Sequence, residues 1–120
     1  MIKMLKFAGV PVRDQDGALA FWTEKMGFRV VTDQPMGPGQ RWIEIKPVQG
    51  ETGLALFTPD GHEARIGQFS GLSFRCDDVE KEYGALKAKG VEFDGPPKKE
   101  SWGTFVIFKD PDGNKFVLGS

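Results

Sequence analysis

Phe108-Lys109-Asp110-Pro111-Asp112-Gly113-Asn114-Lys115-Phe116-Val117-Leu118 is the stretch on which the fold assignment turns. Pro111 presets the φ of a turn, and Gly113 accepts the positive φ that usually follows a type I turn. Two runs of alternating apolar residues are therefore joined here as a β-hairpin. In the second strand Lys115 and Val117 share one face, and what stands at Val117 bears on the possible chemistry more than any other position.

Outward from the hairpin, the composition narrows the choices. The chain has 120 residues, the size of one ordinary domain. Lys plus Arg is 16 against 17 for Asp plus Glu, a balance that suggests neither a nucleic-acid partner nor an anionic membrane. No apolar run approaches membrane-spanning length, and Met1-Ile2-Lys3-Met4-Leu5-Lys6 lacks the features of a secretory leader, so the expectation is a cytoplasmic protein. The single cysteine, Cys76, excludes an internal disulfide and a thiolate-rich metal cluster. It ends an apolar run without a histidine nearby and reads as a small strand-end residue, not a nucleophile. The one histidine, His62, falls in the polar connector Pro59 to Arg65, where a solvated side chain is expected.

Taken in order, residues 5 to 12 read as a strand. A helix follows with Asp14 or Asp16 as N-cap, Ala18, Phe21, Trp22 and Met26 as its apolar stripe and Gly27 as its stop. Phe28 to Thr32 reads as a short strand, Asp33 to Gln40 as a loop because it holds two prolines and two glycines, and 41 to 46 and 53 to 57 as strands. After the connector the same order begins again. Gly71 to Arg75 is a strand, and Asp77 caps a helix with Glu80 at its third position. Val79, Tyr83 and Leu86 form that helix's stripe, and Gly90 ends it. Val91 to Phe93, a Pro-rich loop through Lys99, and the strands 104 to 109 and 115 to 118 complete the set. Asp14 to Gly27 and Asp77 to Gly90 span the same 13 steps, so the working model is two βαβββ units. These are 1–58 and 69–120, joined by connector 59–68 in a single domain over 1–120. Each helix must cover one sheet face, leaving the other face of a curved mixed sheet to line a cup in this α+β fold.

In this arrangement the chain resembles the vicinal oxygen chelate superfamily, which includes glyoxalase I, extradiol dioxygenases, fosfomycin-resistance transferases and bleomycin-binding resistance proteins. The resemblance rests on Val10-Pro11-Val12-Arg13-Asp14, on Ala20 to Phe28, on Leu72 to Val79 and on Asp110-Pro111-Asp112-Gly113-Asn114, which together cover nearly the whole chain. Metal-using members hold a divalent cation with four His or Glu side chains, one on each of four cup-lining strands. The resemblance puts those positions at Phe7, Ala55, Gly71 and Val117. None of these four side chains offers a lone pair, and no immediate neighbour is a His or a carboxylate. A metal-free, apolar-lined cup is the pattern of the drug-binding members, so the resemblance implies sequestration of a small molecule without a cofactor. Members of this length generally pair, which implies a homodimer.

Period-2 alternation from those positions gives the cup Phe7, Gly9, Ala55, Phe57, Gly71, Ser73, Arg75, Lys115 and Val117. On the strand 41 to 46, Trp42 and Glu44 are preferred for the cup because Ile43 and Ile45 suit the helix-covered face. The expected ligand-binding set is then Phe7, Trp42, Glu44, Phe57, Ser73, Arg75, Trp102 and Val117, with no catalytic and no metal residues. Aromatic walls would hold a planar body, and Arg75 would anchor a carboxylate. Against this, Phe7 and Phe57 equally fit a role as space fillers, Arg75 a surface charge or a partner of Glu44, and Trp102 either a lid or an exposed indole. Three readings stay open in this order. The first is metal-free binding of a small aromatic or carboxylate-bearing molecule. The second is a lyase, isomerase or dioxygenase with a metal at a displaced site, involving Glu44 or His62. The third is an interaction module whose cup is filled by its own side chains.

Overall fold

Alternation and capping act at once in the first 28 residues. In the computed structural model, which describes residues 1–120, β1 (Phe7–Pro11) buries Val10, and Asp14 then leaves the extended conformation for α1 (Gln15–Ala20). Asp14 Oδ1 accepts the Asp16 amide at 3.1 Å, satisfying a donor the first helical turn leaves open. The helix continues as a π-helical turn over Phe21–Lys25, in which the Met26 amide reaches back to the Phe21 carbonyl. Gly27, at φ 78°, stops it.

The chain divides into two compact units, residues 1–66 and 67–120. In the first, β2 (Arg29–Gly37), β3 (Gln40–Lys46) and β4 (Gly53–Phe57) join β1 in a mixed sheet of order β1-β4-β3-β2, with β1 and β4 parallel. The connector holds a 3-10 turn at Glu63–Arg65. The second unit repeats the plan with β5 (Phe69–Arg75), α2 (Val79–Ala88), β6 (Glu92–Phe93), β7 (Lys98–Glu100), β8 (Gly103–Lys109) and β9 (Lys115–Gly119). Its order is β5-β9-β8-β6, with β7 also on β8 and β5 parallel to β9. The α+β class and the repeated strand plan follow the sequence reading.

Each helix covers one face of its own sheet. In the first unit Val10, Val12, Ala18, Trp22, Ile43, Ile45, Leu54 and Leu56 are buried, with Phe21 and Phe28 packed on the Trp22 ring at 5.4 and 5.1 Å. In the second, Val79, Leu86, Val106, Phe108, Phe116 and Leu118 are buried, and Phe74 contacts both Phe108 and Phe116.

Four sequence expectations are corrected. Asp33 to Gln40 is not a loop, because β2 runs to Gly37 and only Pro38-Gly39 turn the hairpin. β2 is an edge strand, where a proline needs no inward hydrogen bond. Register shifts beside Val31 and Met36 absorb its irregularity. The second helix is capped by Asp78, not Asp77. Asp78 is extended at φ −139° and its Oδ1 accepts the Lys81 amide at 3.1 Å, which puts Lys81 and not Glu80 at the third position. The two caps therefore lie at unequal distances from their stop glycines. The π turn in the first helix is where the additional residue is taken up. The Pro-rich segment through Lys99 ends in a strand, since Lys98 and Lys99 pair with Phe105 and Thr104. Finally, β5 starts at Phe69 and changes register between Phe69 and Ser73, around Gly71 at φ 75°.

The hairpin at Asp110 is knotted by side chains. Asp110 is buried, and its Oδ1 accepts the amides of Asp112 and Asn114 while its Oδ2 accepts Asn114 Nδ2 at 2.8 Å. Asn114 Oδ1 in turn accepts the Gly67 amide at 2.8 Å. Burial pushes the Asp110 carboxyl above its usual range, opposed by the hydrogen bonds from Asn114.

Candidate functional site

Ile43 and Ile45 are fully buried against the helix side of the first sheet, so Trp42 and Glu44 emerge on the other face. Cross-strand register extends that face: Glu44 pairs with Ala55, Ala55 with Gly9, and Gly53 with Phe7. Phe7 meets Trp42 edge-on, with centroids 5.3 Å apart at 72°. The Trp42 indole Nε1 donates to Glu44 Oε1 at 2.8 Å, fixing both side chains. Phe57 lies over Gly9, where an added Cβ would stand 3.0 Å from the ring, and the Arg65 guanidinium sits 5.5 Å above its centre. The result is a half-buried aromatic surface with one carboxylate whose donor partner is an indole.

A buried amide holds the far ends of these strands. Gln15 Nε2 donates to the Arg41 and Leu56 carbonyls at 2.7 and 2.9 Å, and its Oε1 accepts the Arg41 amide at 3.2 Å. The backbone beside Trp42 and Phe57 is thus set by a side chain on the opposite layer. Arg41 is itself held by Asp33, through Nε at 3.0 Å and Nη2 at 2.9 Å, and by Asp16. These partners raise the Arg41 pKa further and hold Asp33 below the usual carboxylate range.

On the second sheet Ser73 and Ile107 flank Val117, and Arg75 and Phe105 flank Gly119. Ser73 and Arg75 are exposed, and no hydrogen bond or ion pair engages the guanidinium. Trp102, at the tip between β7 and β8, stacks on Phe105 at 5.4 Å and 20° and remains 68% exposed. On the same sheet Asp94 bridges Lys109 and Lys115 at 3.1 and 2.8 Å, and these hydrogen bonds, Lys115 first, hold its carboxyl below the usual range.

The eight expected site residues thus fall into two groups, one on each sheet. Phe7, Trp42 and Glu44 form one connected cluster with Phe57 nearby. Ser73 and Val117 are direct neighbours, and Arg75 and Trp102 flank the Gly119–Phe105 pair. The reading of the sequence did not extend to Phe105 and Ile107, although alternation from Val117 across the hairpin would have found them. Gln15 gave no signal, because an amide at the start of a helix ordinarily faces water.

The divalent cation held by metal-using members of the superfamily that the chain resembles would find no ligands here at the corresponding positions. Phe7 is engaged with Trp42, Ala55 is buried, Gly71 has no side chain and a positive φ, and Val117 is aliphatic. These residues do not fit a metal centre. No three His, Cys, Asp or Glu side chains lie together where they could hold an ion. Burial pushes the Cys76 thiol up, the direction opposite to an activated nucleophile. Clefts of about 430 and 380 Å³ in the first unit lie away from the aromatic face, sharing Arg13, Gly39, Gln40 and Thr58 along the hairpin tip. No helix is long and apolar enough to cross a membrane.

Comparison with known proteins agrees with this architecture. Residues 4–118 match the family model of the Glyoxalase/Bleomycin resistance protein/Dioxygenase superfamily. YetH, from Bacillus subtilis, is 42% identical over 118 residues that cover 98% of each chain. A superfamily member from Sphaerobacter thermophilus superposes with a TM-score of 0.90 at 33% identity, over 98% of this chain and 97% of that one. TnmS3, an antibiotic binding protein from a Streptomyces strain, superposes with a TM-score of 0.84 at 37% identity, over 98% and 95%.

Proposed function

We propose, for a chain that belongs to the Glyoxalase/Bleomycin resistance protein/Dioxygenase superfamily, metal-free binding of a small aromatic or carboxylate-bearing molecule by a cytoplasmic homodimer. The observation that carries this reading is the Phe7–Trp42–Glu44 cluster. An edge-on aromatic pair stands half-buried on the sheet face opposite the one that buries Ile43 and Ile45, with an indole hydrogen bond locking the rotamers. Rings fixed before binding lose little conformational entropy when a planar ligand packs on them. Glu44 keeps a second oxygen for a donor on the ligand, and Phe57 completes the proposed contacts on this sheet. On the second sheet Ser73, Arg75, Trp102 and Val117 are proposed as ligand contacts in their own right, with the Arg75 fork suited to a carboxylate. The likeness to TnmS3, described as an antibiotic binding protein, supports binding over turnover.

Trp42 supplies the assay. Trp22 is fully buried on the helix side, so ligand-sensitive emission comes from Trp42 and Trp102, and a Trp102→Phe variant titrated beside the parent chain separates the two. Titration with planar aromatic drugs and aromatic acids is expected to quench or shift this emission with saturation well below millimolar. An absence of any binding tighter than about millimolar, a free energy of only about 4 kcal/mol, overturns the proposal. Stoichiometric divalent metal in protein purified without chelator would favour the enzymatic reading instead.

A further inference from the structure

On the helix-covered side of the second unit, the face opposite Ser73 and Val117, α2 and the β6–β7 link border a cleft of about 440 Å³. Its lining includes Tyr83, Lys87, Val91, Phe93 and Pro96. Tyr83 and Lys87 are one helical turn apart. The Tyr83 ring meets Phe93 edge-on at 4.7 Å and 67°, and Val91 is buried beside them. Lys87 Nζ donates to the Tyr83 phenol oxygen at 3.2 Å and stands 5.3 Å from the ring centre.

The chemistry of this pair is directional. Because the phenol oxygen acts as acceptor toward Lys87, its own O–H remains available to donate, and the ammonium keeps two further N–H donors. A cation and a hydroxyl therefore converge at the edge of an apolar hollow walled by two rings and a proline. Two carboxylates are close by. Asp94 is neutralised by Lys109 and Lys115, whereas Glu92 also lines the cleft and opposes negative charge there, so the single Lys87 cation can offset no more than one carboxylate. We propose that this cleft binds a small monocarboxylate with a flat apolar body. The carboxylate meets Lys87 Nζ and the Tyr83 hydroxyl, and the body lies against Phe93, Val91 and Pro96. The volume is in the range usual for small-ligand sites.

The test is a titration of the 15N-labelled full chain with phenylacetate, followed by amide shifts. Saturable shifts are expected at Tyr83, Val91 and Gly95. The Lys87→Met variant should weaken them about tenfold, the loss of one charge-assisted contact, and Tyr83→Phe by a smaller factor. Inorganic phosphate should leave these amides in place. Lys87 is exposed, and Lys87→Gln provides a second variant should the first disturb folding. Unaltered affinity in the folded Lys87 variants, or equal response to phosphate, overturns the proposal. Shifts confined to residues such as Phe7 and Trp42 also overturn it while supporting binding on the first sheet, and shifts at 83–96 alone do the reverse.

Discussion

Replacing Gln15 by a glutamate keeps the shape of the side chain and removes its function as a clamp. The amide is only 7% exposed and donates to two carbonyls, at 2.7 and 2.9 Å, while accepting the Arg41 amide. A glutamate retains the acceptor, loses both donors and turns a carboxylate toward two carbonyl oxygens. Two lost hydrogen bonds at about 1 kcal/mol each, with the added cost of a poorly compensated buried charge, give about 3 kcal/mol of destabilisation. With a melting entropy of about 2.1 cal/mol/K per residue, that loss lowers Tm by about 12 °C for a chain of this length. Urea unfolding of Gln15→Glu at pH 7 measures the difference directly. Acid supplies a second readout. Burial raises the folded pKa of the introduced carboxyl above its unfolded value, so its penalty is present at neutral pH and shrinks as pH falls through the folded pKa. Gln15→Ala, which has no proton to regain, should keep a constant deficit. A Gln15→Glu variant within about 0.5 kcal/mol of the parent would refute the clamp. The folded variant should also bind aromatic ligands more weakly, because Arg41 and Leu56 are the chain neighbours of Trp42 and Phe57.

Asp94→Asn should lower the urea midpoint at neutral pH. Because the folded pKa lies below the ordinary 3.8, the gap to the parent should close as pH falls through it, and a gap that persists in acid would contradict the Lys109–Asp94–Lys115 bridge. Gly9→Ala places a Cβ 3.0 Å from the Phe57 ring, so the ring must tilt. Ligand affinity read at Trp42 should fall several-fold while stability changes by about 1 kcal/mol or less. Gly71→His, the substitution nearest to restoring a family-type ligand, sits at φ 75° and should cost about 1–2 kcal/mol by thermal melts without conferring zinc affinity by itself.

Much of the fold was legible because it depends on local rules. The Asp110–Gly113 turn, an acidic cap at Asp14 or Asp16 and the alternation that buries Ile43 and Ile45 each follow from one or two residues whose preferences do not need the rest of the chain, and the structure selects Asp14. The errors arose where neighbours override those preferences. Pro35 and Gly37 read as loop residues, yet an edge strand tolerates both once bulges are allowed. Asp77 and Asp78 are equivalent as caps by composition, and only the direction in which the chain leaves β5 selects the second. Equal helix spacing was an accident of choosing Asp77, since the first helix hides its additional residue in the π turn at Phe21–Lys25. On the candidate site, the face of Trp42 and Glu44 was readable, whereas their mutual hydrogen bond, the Gln15 clamp and the Tyr83–Lys87 cleft depend on contacts between elements that no periodicity encodes.

The strand plan shared by the two sheets also orders events during folding. Phe7 pairs with Gly53 and Phe69 with Lys115, both 46 positions apart, whereas Gly37 meets Gln40 across a two-residue turn. Closing the long loop costs about 2 kcal/mol more chain entropy than closing the short one. On that ground the β2–β3 and β8–β9 hairpins are expected to form first and the parallel strands β1 and β5 to join last. The aromatic face is completed at that final step, since Phe7 arrives with β1. The candidate binding surface is then completed only when β1 docks, and variants that slow this docking should delay the Trp42 fluorescence change that reports the Phe7–Trp42 contact in stopped-flow refolding.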